Sequence, residues 1–593
     1  MEDLSPLAKQ RLAYEPALAR CLAGDELQFT FKDELVAEDV AADEPAPTFA
    51  EHARRASDDV GDRGGRLIRL ADPLVFPNTA STPTFRVTEA SAAPSPDTRS
   101  KPVRGPGGAA RLGLLFSGGP AAGGHNVAAG MFDCLARRFS RAKGEPALIG
   151  FLGGAEGLVR KRWTEVTSET LKPLVNQGGF HLLGTGRFRL HTPEHFAAAA
   201  RTCRDLKLDG IVIIGGDDSA TNAAYLAEHF AATKVPASVV AVPKTVDNDF
   251  QTPESVKVCF GFDSASKTYA EIVGNLASDA RSARKYWHFV RIMGRRAGHL
   301  TLEVALRVRP NVALLGEEVA EKKLALADVA ADVAELVRAR HERGLDYGVV
   351  LVPEGLLSFT PEIQTLAEER AREKKAGEKK DPSAETAQTA HLPPEILNEL
   401  ALARDAHGNP NLSALETEKL LAKLVAERLP PDAAKAFCPR FHFCGYEGRA
   451  GLPSDFDATY AYNLGHGACL LAAGGANGVV VAVENPVDPV AFWRVAGVPL
   501  PRTLRAERRE GKDRLVVRKT LVDLKGPAFA SFAEKRDAWR LEDRYACPGP
   551  MVFDAAGGGL DPPTTTRLAA EAAGKREKEA RDRSRAATGA AAA

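Results

Sequence analysis

The chain has 593 residues, of which 44% are apolar; that is enough for two to four domains with sizeable cores. Lys plus Arg and Asp plus Glu both number 78, so the formal net charge is zero. This argues against a general nucleic-acid or anionic-membrane binder and leaves room for local charged pockets. Eight cysteines without a C-x-x-C pair indicate neither a zinc site nor a disulfide framework. They fit reduced thiols in a cytoplasmic protein.

The N-terminus, M-E-D-L-S-P-L-A-K-Q-R, has no apolar signal core. Residues 5–21 suggest a short helix and 74–76 an apolar anchor. Pro, Ser, Ala and Gly dominate 89–108, so 1–108 is predicted to be an extension and linker. At Arg111 a buried strand, R-L-G-L-L-F, leads into S-G-G-P-A-A-G-G-H-N and an amphipathic run over 127–139. Strand, Gly-rich loop and helix together hold phosphate on backbone N–H groups, although a tight turn of any α/β protein reads the same way. A second Gly-rich stretch, G-G-F-H-L-L-G-T-G-R, ends in Arg187, placed either for bidentate phosphate contact or as a solvated surface residue.

Two apolar runs then end in polar clusters: I-I-G-G-D-D-S around Asp217 and Asp218, and V-P-K-T-V-D-N-D around Lys244, Asp247 and Asp249. Strands ending in M-G-R-R, G-E-E and P-E-G follow, with helical segments between them. The alternation predicts an α/β fold of two Rossmann-like lobes, mainly parallel sheets with helices on both faces. A mixed-charge run at 366–381 reads as a solvated helix or mobile loop, and helical periodicity resumes over 392–429. The uncharged stretch 458–483 is long enough to span a bilayer, but its Asn463, His466, Asn477 and Gly474-Gly475 make it a buried helix, a turn and a strand. The predicted layout is an extension at 1–108, a first lobe at 109–262, a second lobe at 263–357, a helical insertion at 358–436, a return segment at 437–550 that completes both lobes, and a largely disordered tail at 551–593.

In an open α/β sheet, strand ends converge on one crevice. Four acids and a lysine placed there need a cation or a phosphate to organise them, which points to magnesium-dependent phosphoryl transfer. Such a site positions groups and spreads charge. Gly118, Gly119 and their loop can cradle the donor. Asp217 can hold Mg²⁺ through oxygen. Asp247 can take the acceptor's proton, Arg295 and Arg449 can grip a sugar phosphate, and Glu354 can accept from sugar hydroxyls.

These residues resemble the phosphofructokinase family, in particular its long-form pyrophosphate-dependent branch. The similarity runs from about Leu112 to Asp554, on G-G-P-A-A-G-G-H-N, L-G-T-G-R, G-G-D-D-S, P-K-T-V-D-N-D, M-G-R-R-A, P-E-G and G-Y-E-G-R. The resemblance implies the phosphofructokinase fold and assigns Gly118 and Arg187 to the donor and Asp217 to magnesium. It places Thr245, Val246 and Asp247 along the sugar phosphate, with Asp247 as proton acceptor. Met293, Gly294 and Arg295 match a fructose-phosphate loop, Glu354 a sugar-hydroxyl contact, and Tyr446, Glu447, Gly448 and Arg449 a phosphate-gripping loop. Lys285 and Tyr286 match positions that reach a neighbouring subunit's site, implying a homo-oligomer of at least two copies.

ATP-using relatives have glycine at the positions of Asp218 and Lys244. A carboxylate at Asp218 would stand where a nucleotide's α-phosphate goes. Like charges about 4 Å apart repel by roughly 4 kcal/mol at an effective dielectric of 20, about a thousandfold in affinity. Lys244 would offset charge on the transferring and leaving phosphates. Ala122 stands where the family usually has proline, which implies a softer donor loop. The reaction implied is reversible transfer from pyrophosphate to fructose 6-phosphate, giving fructose 1,6-bisphosphate and orthophosphate. Its rivals are an ATP-dependent phosphofructokinase and a non-catalytic regulatory subunit.

Overall fold

The structure is a computed structural model; it describes residues 9, 11, 13–23, 27–31, 76–89, 99–102, 109–139, 145–252, 256–295, 297–362, 415–509, 512–553 and 560–590. The first strands are β1 (Leu27–Phe31), β2 (Phe85–Glu89), β3 (Arg99–Pro102), β4 (Arg111–Phe116), β5 (Ala147–Phe151), β6 (Trp163–Glu165), β7 (Gly210–Gly215) and β8 (Ser238–Pro243). After them come β9 (Tyr286–Ile292), β10 (Val312–Ala313), β11 (Tyr347–Pro353), β12 (Pro439–Cys444), β13 (Val479–Val483) and β14 (Val495–Pro499). A separate hairpin is formed by β15 (Leu504–Arg509) and β16 (Lys512–Val517).

A ten-stranded sheet runs β3-β1-β2-β14-β13-β8-β7-β4-β5-β6, and a four-stranded sheet runs β10-β11-β9-β12. In the large sheet β13, β8, β7, β4 and β5 are parallel, and the small sheet is parallel throughout. Strands buried on both faces read as continuous apolar runs; β7, β8, β11 and β13 are buried at every residue. The helices Gly124–Phe139 and Asp455–Ala473 cross with their backbones in contact. A Cβ on Gly130 would stand 2.1 Å from the Tyr462 carbonyl oxygen, and one on Gly465 would stand 2.1 Å from that of Val127. This crossing holds the loop before Gly124 against the sheet. It also places 458–473 in a buried helix, and no helix among the described residues is long and apolar enough to cross a membrane.

Three readings need correction. Part of the 1–108 extension is woven into the fold rather than being a linker: β1, β2 and β3 extend the large sheet through β14. Arg11 donates to the Pro453 carbonyl (2.8 Å), and the Asn463 side chain bonds both Ala17 O and Ala19 N. The helix expected over 5–21 is interrupted, because residues 14–19 are non-helical around Pro16 and the short helix is Arg20–Ala23. The tail expected to be disordered contains the helix Thr564–Ala590, as its Ala, Glu, Lys and Arg content favours. Its start is capped by Glu303, which accepts from the Thr564 and Thr565 N–H groups at 2.7 and 2.8 Å. The anchor at 74–76 is described only at Phe76, which is fully buried. The charged run 366–381 and most of the insertion lie outside the described residues. The end of the insertion forms the helices Thr417–Ala426 and Pro431–Ala436, and Glu418 pairs with buried Arg291 of β9 at 3.1 Å.

Candidate active site

Three neighbouring strands of the large sheet supply one side of the site. After β4, Gly118 turns with φ of 81°, a conformation that favours glycine. Its N–H donates to the Gly186 carbonyl (2.9 Å), and the Gly118 carbonyl accepts from the Thr185 hydroxyl (2.7 Å). The two Gly-rich stretches, far apart in sequence, are therefore one structure. Behind them His125 is fully buried; Nδ1–H donates to Gln177 O (3.2 Å) and Nε2 accepts from Leu182 N–H (3.3 Å). Burial, with His181 nearby, pushes its pKa down to about 4, so the ring is a neutral brace. Ala122 is fully buried beside Gly261.

After β7, Asp217 and Asp218 occupy the first turn of the helix Asp217–Ala232, where carboxylates meet the positive end of the helix dipole. Asp218 is exposed. Asp217 Oδ2 is buried without a hydrogen-bond partner. Burial raises the pKa of Asp217; Lys519 opposes the rise, and Asp249 and Asp218 add to it.

After β8, the T-V-D-N-D turn wraps around one hydroxyl. Thr245 Oγ1 donates to Asp249 Oδ1 (3.0 Å) and accepts the Asp247 N–H (3.1 Å). Asn248, at φ 53°, accepts the Cys259 N–H at 2.9 Å. Val246 is buried beneath the turn. Lys244 is buried, with Nζ 3.5 Å from where a Cβ on Gly118 would stand, so its ammonium lies against the Gly-rich loop. Burial pushes its pKa down to about 8 against the pull of Asp247, Asp217 and Asp249. Burial pushes Asp247 up to about 7, with Asp249 adding and Lys519 opposing; Glu354 and Arg295 of the other lobe act on it too. Asp249 goes the other way. Burial raises it, but the charge and hydrogen bond of Lys519 and the Thr245 hydroxyl win, and its pKa falls below the usual value.

The small sheet supplies the facing side. After β9, Met293 and Gly294 are buried and Arg295 is exposed. Gly294, at φ 134°, donates its N–H to buried Glu354 Oε2 at 3.0 Å, and Glu354 N–H returns to Ile292 O at 2.9 Å. After β12, the short turn Tyr446–Arg449 is fixed by Glu447, which accepts the Gly445 N–H (2.9 Å), and by Tyr269, which donates to Gly445 O (2.6 Å). Gly448 lies on the Tyr269 ring, where a Cβ would come within 2.3 Å. The Arg449 guanidinium lies 4.7 Å from the centre of the exposed Tyr446 ring. Its Cζ is also 3.4 Å from the Cβ position of Gly119, so Arg449 reaches the Gly-rich loop of the other lobe. Burial lowers the pKa of Arg449; Tyr446 and Tyr269 oppose this, while the charges of Arg187, which is exposed, and Arg295 add to it.

The structure thus joins Gly118, Gly119, Arg187, Asp217, Asp218, Lys244, Thr245, Val246, Asp247, Met293, Gly294, Arg295, Glu354 and Tyr446–Arg449 at one seam. Lys285 and Tyr286 are not part of it. They lie at the opposite end of β9, about 20 Å from Ile292, where the strand meets the site, at the strand rise. There the Tyr286 ring stacks near Arg440 (4.5 Å) with its backbone at φ 79°. The exposure of Asp218 also weakens the charge argument made for it, since solvent screens such a repulsion well below the figure for a partly buried pair.

Sequence reasoning missed Lys519. Its ammonium lies 3.2 Å from Asp249 and 3.5 Å from Asp217. It follows the antiparallel hairpin, so a search of parallel strand ends passes it by. The only local signal is a basic pair, Arg518-Lys519, at the end of an apolar run.

This is a two-lobed, doubly wound α/β protein whose candidate site lies at facing strand ends, where such folds bind ligands. The phosphofructokinase family profile matches residues 111–472, and the chain belongs to that family. It is 44% identical over 460 residues to subunit beta 2 of pyrophosphate–fructose 6-phosphate 1-phosphotransferase from Arabidopsis thaliana, covering 75% of this chain and 80% of the relative. It is 43% identical over 478 residues to the enzyme of that name from Treponema pallidum, covering 77% and 82%. Subunit alpha 2 of the Arabidopsis enzyme is 36% identical over 575 residues, covering 94% and 87%.

Proposed function

We propose that the chain transfers a phosphoryl group reversibly from pyrophosphate to the 1-hydroxyl of fructose 6-phosphate, giving fructose 1,6-bisphosphate and orthophosphate. The similarity to relatives of that name over three quarters of the chain supports this reading. The observation that carries it is the position of Asp247. It leaves the large sheet beside Lys244, yet it is close enough to Glu354 and Arg295 of the small sheet for their charges to act on it. A base at that seam lies between a donor on Gly118 and Lys244 and an acceptor on Gly294 and Arg295. The hydroxyl gives its proton to Asp247 as its oxygen bonds the terminal phosphorus. The bridging P–O bond breaks, and Lys244 faces the charge that develops on the departing orthophosphate. Arg187 and Arg449 grip phosphates from the two sides.

Among the described residues no three His, Cys, Asp or Glu side chains form a metal cage. The orphaned, buried Asp217 Oδ2 with Asp249 nearby fits Mg²⁺ nonetheless, because that ion is usually held by one or two carboxylates together with substrate phosphates. When bound it would neutralise charge on the donor oxygens.

Asp218, exposed beside Asp217, disfavours a nucleotide's additional phosphate and so favours pyrophosphate over ATP. The presence of Asp217, Asp247 and Arg295 weighs against a non-catalytic subunit. A homo-oligomer belongs to the same reading: Lys285 and Tyr286 lie too far from their own site to serve it, which supports a role toward a second copy. So does a cytoplasmic setting, supported by eight free cysteines. The test is phosphorylation of fructose 6-phosphate by the purified chain with Mg²⁺, comparing pyrophosphate with ATP. Activity with pyrophosphate alone is expected. Activity with ATP alone would overturn the donor, and activity with neither would return the regulatory-subunit reading.

A further inference from the structure

Lys519 stands in the gap between two carboxylates that end neighbouring strands of the large sheet. Its Nζ is 3.2 Å from Asp249 Oδ2 and 3.5 Å from Asp217 Oδ2. That Asp217 oxygen is the one without a hydrogen bond. The backbone around Lys519 is held from both lobes. Val517 N–H donates to Thr221 Oγ1 (2.9 Å) and Thr520 N–H to Asp249 O (2.7 Å). His299 Nε2–H donates to Thr520 O (2.9 Å), and Val522 N–H to Glu317 Oε1 (3.0 Å). The strap 517–522 is therefore fixed, while the lysine side chain is 23% exposed and its ammonium borders solvent as well as the two carboxylates. A magnesium ion needs oxygens at roughly 2.0–2.1 Å. It cannot share this gap with an ammonium group.

We propose that Lys519 is an internal counter-cation that makes metal entry depend on the phosphoryl donor. The Asp217–Asp249 pair takes a divalent ion only when that ion arrives with pyrophosphate, whose oxygens then receive the displaced ammonium. The inference rests on the phosphoryl-transfer reading of the site.

The test is Mn²⁺ binding to the full-length chain, followed by electron paramagnetic resonance with and without methylenediphosphonate, a pyrophosphate analogue that is not cleaved. Wild type should bind Mn²⁺ at least tenfold more tightly with the analogue than without it. Lys519→Met should bind Mn²⁺ alone at least tenfold more tightly than wild type and lose most of the analogue dependence. Lys519→Arg should keep the wild-type pattern. A merely structural lysine predicts the opposite sign, since losing it would leave two repelling carboxylates and a weaker site. Equal Mn²⁺ affinity in wild type with and without the analogue would overturn the proposal even if Lys519→Met does not fold. A folded Lys519→Met that binds Mn²⁺ no more tightly would do the same. If the chain is active with pyrophosphate and either result is found, only the role of Lys519 falls. If it is inactive with any donor, the phosphoryl-transfer reading falls, and this inference with it.

Discussion

On the large sheet, Asp217, Lys244, Asp247 and Asp249 leave two adjacent strands within reach of one another's charge, Lys244 and Asp249 buried and Asp217 and Asp247 half-buried. On the small sheet, Arg295, Tyr446 and Glu447 are exposed, and the buried acid Glu354 is engaged by a backbone N–H. The first side is held by charge and the second by backbone geometry. In a charged cluster each group sets its neighbours' protonation: Asp247 and Asp249 are two residues apart, and their pKa values move in opposite directions because Lys519 and the Thr245 hydroxyl donate to the carboxylate of the second and not of the first. In a side held by turns, each residue can be changed with local consequences.

That contrast can be broken or sharpened by measurement. Asp247→Ala should lower turnover roughly 100-fold or more, as loss of a general base does, with an unchanged circular dichroism spectrum. Near-normal turnover would remove Asp247 from the chemistry. Mixing Asp247→Ala with Lys285→Ala subunits should restore a fraction of wild-type activity, because one of the two shared sites in each hybrid pair regains both side chains. No recovery after verified subunit exchange would remove the shared-site reading. On the backbone-held side, Glu354→Ala should raise KM for fructose 6-phosphate about tenfold, the scale of one charge-assisted hydrogen bond, while KM for pyrophosphate stays within about twofold. Equal rises in both would mean that the two sides are not separable. Asp218→Gly with Lys244→Gly should improve ATP affinity about tenfold, since the exposure of Asp218 limits its repulsion by screening. Unchanged ATP affinity would count against both residues as donor selectors.

The smallest effect concerns the brace behind the Gly-rich loop. Burial depresses the pKa of His125 to about 4 from an ordinary value of 6.5. Its contribution is therefore fully present above pH 6.5 and is lost as pH falls from 6.5 towards 4. Wild-type stability should fall relative to His125→Gln by roughly 1.4 kcal/mol per pH unit over that window, read from denaturant titrations at several pH values. Parallel curves for the two proteins would show that His125 is not held neutral.

Much of the site could be read from the chain because its motifs are local structures with local causes. T-V-D-N-D folds around the Thr245 hydroxyl, within its own five residues. Gly118 and Gly294 sit at φ values that side chains avoid. Such requirements are written into residue types at fixed spacing, and so are the fully apolar strands that must be buried on both faces.

What lay beyond the sequence has long-range causes. The extension joins the large sheet through antiparallel pairing with β14, some four hundred residues away, and nothing in its Pro- and Ala-rich composition announces a partner. Arg449 reaches across to Gly119, and Lys519 reaches Asp217 and Asp249 from a strap that no motif marks. The sequence by itself determined which strands are buried, where the turns fall, and which acids, lysines and arginines end those strands, because backbone sterics and hydrophobic burial act over a few residues. Only the tertiary structure decided which charges are neighbours, and therefore which carboxylate is pushed up, which is held down and which cation stands between them, because those outcomes depend on burial and on distances across the whole chain.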